Sequence, residues 1–292
     1  MTTVVSTPTP VVTARPVRPE AVPRSGPGLL GALRTLAARR FALTARTPRE
    51  ILVPLSTPVL FALVIAPALD SIGPSVPGID YMSYAALGTA GLLIPLNCLF
   101  SGVGVIVDRD SGARRDLLAA PIPRSLLVAG NFVVALAITG LQLGVLLVAS
   151  VLRGAEYDVT VSGLGWVVGA SLLLAVAMYG VAEAVANRMP SVEEFTGALP
   201  GLAIVPWFFA GSLFPITALP AGLTAVAKVL PLTHTLALLR YGLLDDGGAG
   251  LHDIWGMTNT TAMATLSLGV VALFALVLTT VSVRVFTRSA VS

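Results

Sequence analysis

Residues Met82–Arg124 read MSYAALGTAGLLIPLNCLFSGVGVIV-DRDSGARRDLLAAPIPR, a long apolar run followed by a short segment with seven charges. A helix needs about 20 apolar residues to cross the hydrocarbon core of a bilayer. The run Met82–Val107 exceeds that length, and it lacks the alternation of polar and apolar residues that a barrel strand shows. This stretch therefore predicts a membrane-spanning helix that ends at a charged loop.

The composition of the whole chain supports this interpretation. Of 292 residues, 55% are hydrophobic and 11% are charged, and the mean hydropathy is +0.88. A soluble domain carries about a quarter charged residues, so lipid must be the solvent for much of this surface. The sequence predicts an all-α membrane protein with six transmembrane helices. They are expected at about 51–69, 82–107, 125–152, 161–186, 195–214 and 261–283.

Basic residues are distributed unevenly between the two sides that these spans define. Eight arginines precede the first span and four follow the second. Of the 18 lysine and arginine residues, all but Arg153, Lys228 and Arg240 fall on that side. Short loops rich in Lys and Arg stay in the cytoplasm, so both termini are predicted to be cytoplasmic.

The first 49 residues are predicted to form two segments outside the spans. Residues 1–27 contain six prolines and no apolar signal-peptide core, which is typical of a disordered cytoplasmic tail. In residues 28–49 leucines recur at helical spacing among arginines. This pattern predicts a basic amphipathic helix along the membrane surface, or alternatively an extension of the first span. Residues 50–292 are then the transmembrane domain.

The segment between the last two spans, residues 215–260, is long but largely apolar. Pro215, Pro220 and Pro231 divide it into pieces too short to cross the bilayer. A re-entrant or interfacial hairpin on the outer side is the expected structure, because irregular backbone at membrane depth must be covered by protein.

Two pairs of glycines, each four residues apart, are predicted to permit close helix contacts. They are Gly165 with Gly169 and Gly197 with Gly201. This spacing lets helix backbones approach each other. The contact could lie within the chain or between two copies, and packing within the chain is favoured.

Nucleotide and metal chemistry have little support in the sequence. The single lysine, Lys228, does not follow the Gly-rich turn of a P-loop. Two histidines and one cysteine, Cys98, do not make a convincing His/Cys metal site.

The alternative function is an integral-membrane enzyme or assembly scaffold that uses the segment 215–260. Its possible metal or acid–base cluster is His234, Asp245, Asp246, His252 and Asp253. The two adjacent aspartates also fit a solvated turn.

Three of the polar side chains inside predicted spans have both a structural and a functional interpretation. Glu183 is the one acid among them, and it either reaches the membrane surface near Arg188 or belongs to a proton path. Asn97 and Gln142 either line a substrate path or join helices through hydrogen bonds. The structural interpretation is favoured for each of the three.

The charged segment 108–124, here called the island, has two interpretations. It is either a loop that only sets topology or a contact for a soluble partner. Its aspartates and Leu117-Leu118 add nothing to topology, so the partner contact is favoured. The residues expected to carry it are Asp108, Arg109, Asp110, Gly112, Arg114, Arg115, Asp116, Leu117 and Arg124.

Three stretches in this order resemble the ABC-2 type permeases, the membrane subunits of ATP-binding cassette exporters, and among them the daunorubicin-resistance type. The first is the island, which resembles the family's cytoplasmic coupling segment. The others are Ala210–Pro215 followed by Leu219-Pro220, and Leu230–His234 followed by Arg240. The island departs from the family by having Asp108, Asp110 and Gly112-Ala113 where glutamates and a Gly-Thr pair are common.

The resemblance implies a permease without its own nucleotide site, in the plasma membrane of a bacterium. Its partners would be a cytoplasmic ATPase subunit that holds ATP and Mg²⁺, a second permease copy (identical or a paralogue) and membrane lipid, with no nucleic acid and no cofactor on this chain. Drug resistance by efflux is the implied role, and the apolar spans favour a hydrophobic or amphiphilic cargo.

The same resemblance implies where the cargo would pass. The expected lining residues, on spans 2 and 5 of two copies, are Asn97, Phe100, Trp207, Phe208 and Phe209. The three aromatics at 207–209 are equally consistent with a lipid-facing belt. The outer hairpin would act as a lid through Pro231, His234 and Arg240.

Overall fold

The computed structural model describes residues 28–45, 81–112, 124–244 and 247–289, together with the single residues 60, 64 and 68. Within these ranges every regular element is helical, which confirms the predicted all-α class. The helices are α1 Leu29–Ala45, α2 Tyr81–Asp110, α3 Arg124–Leu152, α4 Val161–Ala186, α5 Val192–Phe209, α6 Ala221–Ala227, α7 Pro231–Leu243, α8 Ala249–Trp255 and α9 Thr260–Ser289. The predicted tail 1–27, most of the predicted first span and the island residues 113–123 lie outside the described residues.

Four of these helices, α2, α3, α4 and α9, are long and apolar enough to cross a membrane. They coincide with the spans predicted at 82–107, 125–152, 161–186 and 261–283. In the most apolar part of α2, 61% of the residues are buried, against 28% in α3 and α4 and 22% in α9. The helix α2 therefore lies at the centre of the bundle, and the others expose apolar surface, as helices in contact with lipid do.

The helix α5 is shorter than the predicted span 195–214. It begins at Val192 because Ser191 caps it by accepting a hydrogen bond from the backbone N–H of Glu194, at 3.2 Å. It ends at Phe209, since Gly211 adopts a φ of +80° and the Ser212 hydroxyl donates to the Trp207 carbonyl. Its helical part alone does not reach the length and hydropathy of the four longer helices.

The predicted hairpin segment 215–260 contains a 3₁₀ turn and the helices α6, α7 and α8, of which the first two begin at prolines. Pro220 precedes α6, and Pro231 occupies the first position of α7, where its missing N–H has no cost. The axes of α6 and α7 differ by 78°, which describes either a broken span or a re-entrant loop. All residues from 232 to 240 are buried, so α7 packs inside the bundle against α2, α4 and α9.

The helix α1 packs against α3, where a side chain at Gly130 would collide with Leu36. The sequence predicts an amphipathic helix here, but its exposed side chains include Leu29 and Leu30 as well as Arg34. Apolar and basic side chains are thus both exposed, and α1 does not separate them onto two faces as cleanly as an amphipathic helix would.

Close helix contacts form at glycines other than the predicted ones. Among the described residues, nothing lies within 4 Å of a side chain built at Gly165, Gly197 or Gly201, and Gly169 has only an ordinary contact with Leu268. The described part of the chain therefore gives no support to the predicted packing at the first three. Close contacts between helices form at other glycines instead: for example, Gly163 of α4 lies against Gly242 of α7, and Gly180 of α4 lies against Leu278 of α9.

Candidate functional site

Arg109, in the last turn of α2, joins this helix to the end of α4. Its guanidinium donates hydrogen bonds to the carbonyls of Ala186 at 3.5 Å, Met189 at 3.0 Å and Pro190 at 3.1 Å. The last carbonyls of a helix have no partner within it and carry a partial negative charge, so a cation there is stabilising. Arg109 therefore fastens two helix ends together. We call this region, with Asp108–Gly112 and the end of α4, the charged end of the bundle.

The first residues of the predicted island belong to α2 rather than to a separate loop. Asp108 and Arg109 are half-buried in its last turn, and the Asp110 carboxylate accepts from Nε of Arg109 at 3.0 Å. Gly112, at a φ of +75°, follows the end of the helix.

The rest of the island continues beyond this helix end. Arg114, Arg115, Asp116 and Leu117 lie outside the described residues, and α3 begins at Arg124. The described part of the island is thus the last turn of α2 with the two residues that follow it, and the remaining charges of the island come later in the chain.

Glu183 is buried within one turn of the same charged end. Its carboxylate lies 2.9 Å from the Tyr179 hydroxyl and accepts from the Asn187 amide at 3.3 Å. Arg188, the expected partner, is exposed, whereas Glu183 is only 2% exposed. Tyr179 and Asn187 therefore hold the Glu183 carboxylate through hydrogen bonds, as the structural interpretation expects.

The helix α1 reaches this region through one arginine. The Arg40 guanidinium fills the space that a side chain at Gly104 of α2 would take, and its charge acts on Tyr179. A larger residue at position 104 would collide with the Arg40 guanidinium. Gly104 therefore permits Arg40 of α1 to contact α2 directly. The charged end thus gathers α1, α2 and α4.

The predicted path residues fall into two groups. Asn97 donates to the Gln142 side-chain carbonyl at 2.6 Å and so joins α2 to α3, as the hydrogen-bonding interpretation expects. Phe100 and Phe208 are 52% and 47% exposed, and Phe209 is half-buried. These phenylalanines remain available to lipid, cargo or a second copy.

Trp207 is buried where α5 meets α2. Its indole N–H donates to the Gly88 carbonyl at 2.7 Å, and the side chain is 7% exposed. A buried indole needs a partner for its N–H, and Gly88 provides one because its missing side chain lets the Ser212 backbone approach. Trp207 therefore joins α2 to α5.

His234 is held between α7 and α9. Its Nε2 lies 3.0 Å from the Lys228 carbonyl, which can only accept, so Nε2 carries the proton. Its Nδ1 accepts from the Ser267 hydroxyl at 3.1 Å, and that oxygen accepts in turn from the Trp255 indole at 2.8 Å. Both ring nitrogens are thus used, and a metal would have to displace one of these bonds.

Among the described residues, no three His, Cys, Asp or Glu side chains are placed to hold a metal ion. His252 is exposed, Asp253 is half-buried, and Asp245 and Asp246 lie outside the described part of the chain. The cluster predicted at residues 215–260 therefore gains no geometric support from its described members.

Arg240 is a buried cation that the sequence placed among the outer basic residues. It donates to the carbonyls of Gly211 at 2.7 Å and Ser212 at 2.8 Å, and its guanidinium lies 3.4 Å from the centre of the Tyr84 ring. The Tyr84 hydroxyl donates to the same Gly211 carbonyl at 3.1 Å. We call this arrangement the outer clamp, since it fastens α7 and the end of α5 to α2.

A local signal for the outer clamp was present in the sequence. Arg240 stands within the apolar run Leu236–Leu244, and an isolated charge in such a run indicates a buried, partnered group. The role of Tyr84 had no such signal, because a tyrosine near a helix start is equally typical of an interfacial belt.

The charged end and the outer clamp each attach α2 to neighbouring helices through one arginine. At the charged end Arg109 ties α2 to α4, and at the other end Arg240 ties α2 to α5 and α7. Carbonyl partners hold both guanidiniums in place. A displacement of α2 along the bundle would therefore move helices at both ends.

Comparison with known proteins gives one informative result. No curated protein matches the chain. The family described as ABC-2 type transporter matches residues 31–244, which includes the charged end and the outer clamp. This match confirms the resemblance to the ABC-2 type family as a whole. The chain is thus a multi-pass membrane protein that belongs to the ABC-2 type transporter family, the membrane components of ATP-binding cassette exporters.

Proposed function

We propose that the chain is the permease subunit of an exporter of the daunorubicin-resistance type, in the plasma membrane of a bacterium. It moves a hydrophobic or amphiphilic compound, such as a drug-like natural product or a lipid, out of the cytoplasm. A separate cytoplasmic subunit hydrolyses ATP with Mg²⁺, and this chain supplies the path. Family membership supports the general role, and the order of the island, the Ala210–Pro215 stretch and the hairpin supports the type.

The proposed topology has six spans and two cytoplasmic termini. The tail 1–27 and the helix of 28–49 precede a transmembrane domain of 50–292. Support comes from the four long apolar helices and from the excess of arginine on one side. In this arrangement the charged end is cytoplasmic, and α6–α8 form the outer hairpin.

The Arg109 contact is the observation that carries the proposal. An ATPase that binds the island pushes on a segment whose first turn is rigidly helical and bonded to the end of α4. Such a push moves two helices together instead of deforming a loop. Arg109 is then a positioning residue, and Arg114, Arg115 and Arg124 meet acidic or polar groups of the ATPase.

The proposed cargo path lies between two permease copies. Phe100 of α2 and Phe208 of α5 are exposed on helices that pack against each other. Exposed aromatic rings suit a hydrophobic or amphiphilic cargo. Asn97 and Trp207 support the wall behind this surface through their bonds to Gln142 and Gly88.

Co-purification from the native host in mild detergent tests this proposal. The wild-type chain should bring a stoichiometric ATPase subunit, and the complex should hydrolyse ATP. Joint replacement of Arg114→Glu and Arg115→Glu should abolish the association, because like charges then face the acidic partner. Arg109→Gln should retain the partner but lose stimulation of hydrolysis by cargo, and Arg109→Lys should restore part of it.

The matched control is Arg153→Glu, which reverses an exposed charge at the other end of α3. This variant should associate and hydrolyse ATP as the wild type does. A purified chain without partner or hydrolysis would defeat the proposal. So would a doubly reversed island that inserts normally and keeps full association and transport.

A further inference from the structure

The helix α1 carries three arginines, Arg34, Arg39 and Arg40, and no acidic residue. The first two are exposed, and Arg40 is half-buried. Among the residues that the structure describes, none of the three donates a hydrogen bond or forms an ion pair. A cation at a membrane surface attracts anions, so α1 presents positive charge that an anion from outside the chain can neutralise.

The guanidinium of Arg40 has a fixed position between α1 and α2. It occupies the space beside Gly104, where a Cβ atom would collide with its Cζ and both of its terminal nitrogens. Within the described part of the chain, it forms no ion pair within 4.0 Å with Asp108, one turn along α2, or with Glu183 of α4. None of its unbonded nitrogens is fully buried, so a ligand oxygen can reach them.

Two large apolar side chains of α1, Leu30 and Phe41, are exposed beside these cations. They are 83% and 53% exposed. With 3.6 residues per turn, both lie between Arg40 and Arg34 around the helix axis. An exposed apolar strip flanked by arginines suits the boundary between lipid headgroups and acyl chains, where each kind of side chain finds its own partner.

We propose that this face of α1 binds anionic phospholipid. The phosphate and the charged headgroup accept hydrogen bonds from Arg34 and Arg40, and the acyl chains contact Leu30 and Phe41. A soluble anion would leave the apolar strip in water, and a lipid without net charge would leave the arginines unbalanced. Phosphatidylglycerol supplies both the negative charge and the acyl chains.

Binding can be measured on the purified full chain without any ATPase, so its failure is distinct from failure of the proposed transport function. Native mass spectrometry in nonionic detergent compares retention of phosphatidylglycerol and phosphatidylcholine with the same acyl chains. The wild type should prefer phosphatidylglycerol. Arg34→Gln and Arg40→Gln should each lower that preference about fivefold, the effect of one arginine near an anionic lipid surface.

The matched control is Arg188→Gln, which removes an exposed arginine beyond the end of α4. It lowers the net charge by the same amount and should keep the preference of the wild type. Thermal unfolding of each variant checks the fold. Arg34 is exposed, so Arg34→Gln decides the matter if Arg40→Gln unfolds.

Three results would overturn the proposal. Equal retention of the two lipids by the wild type would show that α1 has no anionic ligand of this kind. An equal loss in Arg188→Gln would show that the preference follows net charge and not this face. An unchanged preference in Arg34→Gln, together with loss of the ATPase in co-purification, would assign the arginine to a protein partner.

Discussion

Replacement of Gly163 by alanine should destabilise the helix bundle. A Cβ atom at Gly163 of α4 would lie 2.1 Å from the backbone oxygen of Gly242 in α7, and a Cβ atom at Gly242 would lie 2.5 Å from the Gly163 oxygen. Both obstacles are backbone atoms, so no side-chain rotation can relieve the collision. The two helices can accommodate alanine only by moving apart.

The size of the effect follows from this geometry. Ordinary contact begins near 3.4 Å, so the backbones must separate by roughly 1 Å, and overpacking of this kind costs about 1–3 kcal/mol. Alanine returns up to about 1 kcal/mol through its higher helix propensity. The net loss should be about 1–2 kcal/mol, which raises the unfolding equilibrium constant roughly 5- to 30-fold.

The matched control is Gly165→Ala, two residues further along α4, where a side chain would meet nothing within 4 Å. This variant should be as stable as the wild type or slightly more stable. Unfolding in mixed micelles of increasing denaturing detergent, followed by circular dichroism, measures both variants. Equal stability of Gly163→Ala and Gly165→Ala would refute the close approach of α4 and α7.

Three further predictions concern single side chains. Trp207→Phe should cost about 1 kcal/mol in the same unfolding assay through loss of the bond to Gly88, while Phe208→Leu, at an exposed position, should change stability little. Because burial raises the pKa of Asp253, its stabilising contribution is present at low pH and is lost as the pH rises through that pKa. Asp253→Asn should therefore gain stability over the wild type at neutral pH, and the gain should shrink in unfolding curves at acidic pH. Cys98 is 0% exposed and should react with a maleimide only after denaturation.

The sequence predicted well those features that depend on a continuous stretch of residues. Long apolar runs indicated four membrane-crossing helices, and the prolines of the segment 215–260 indicated where α6 and α7 begin. It overestimated α5, because Gly211 ends that helix inside an apolar run. A positive φ is a property of the folded turn, and the run of apolar residues around it continues past the end of the helix.

In the candidate site, too, local features could be predicted from the sequence and contacts between distant residues could not. The sequence identified Arg109, Glu183 and Arg240 as notable charges, but it did not identify the residues that the structure places against them. Arg109 contacts a carbonyl 77 residues away, and Arg240 contacts Tyr84 at a separation of 156 residues. Such pairs depend on which helices become neighbours, and no local pattern encodes that.

By itself, the sequence determined that the chain is a helical membrane protein, and it located the four long apolar helices α2, α3, α4 and α9. This follows because every backbone group in lipid must be bonded within its own helix, so length and hydropathy decide locally. The tertiary structure decided which glycines bring helices together, Gly163 and Gly180 rather than Gly165 and Gly197. It also decided that Arg240 faces the interior, since contacts between helices arise only when the faces of distant segments meet.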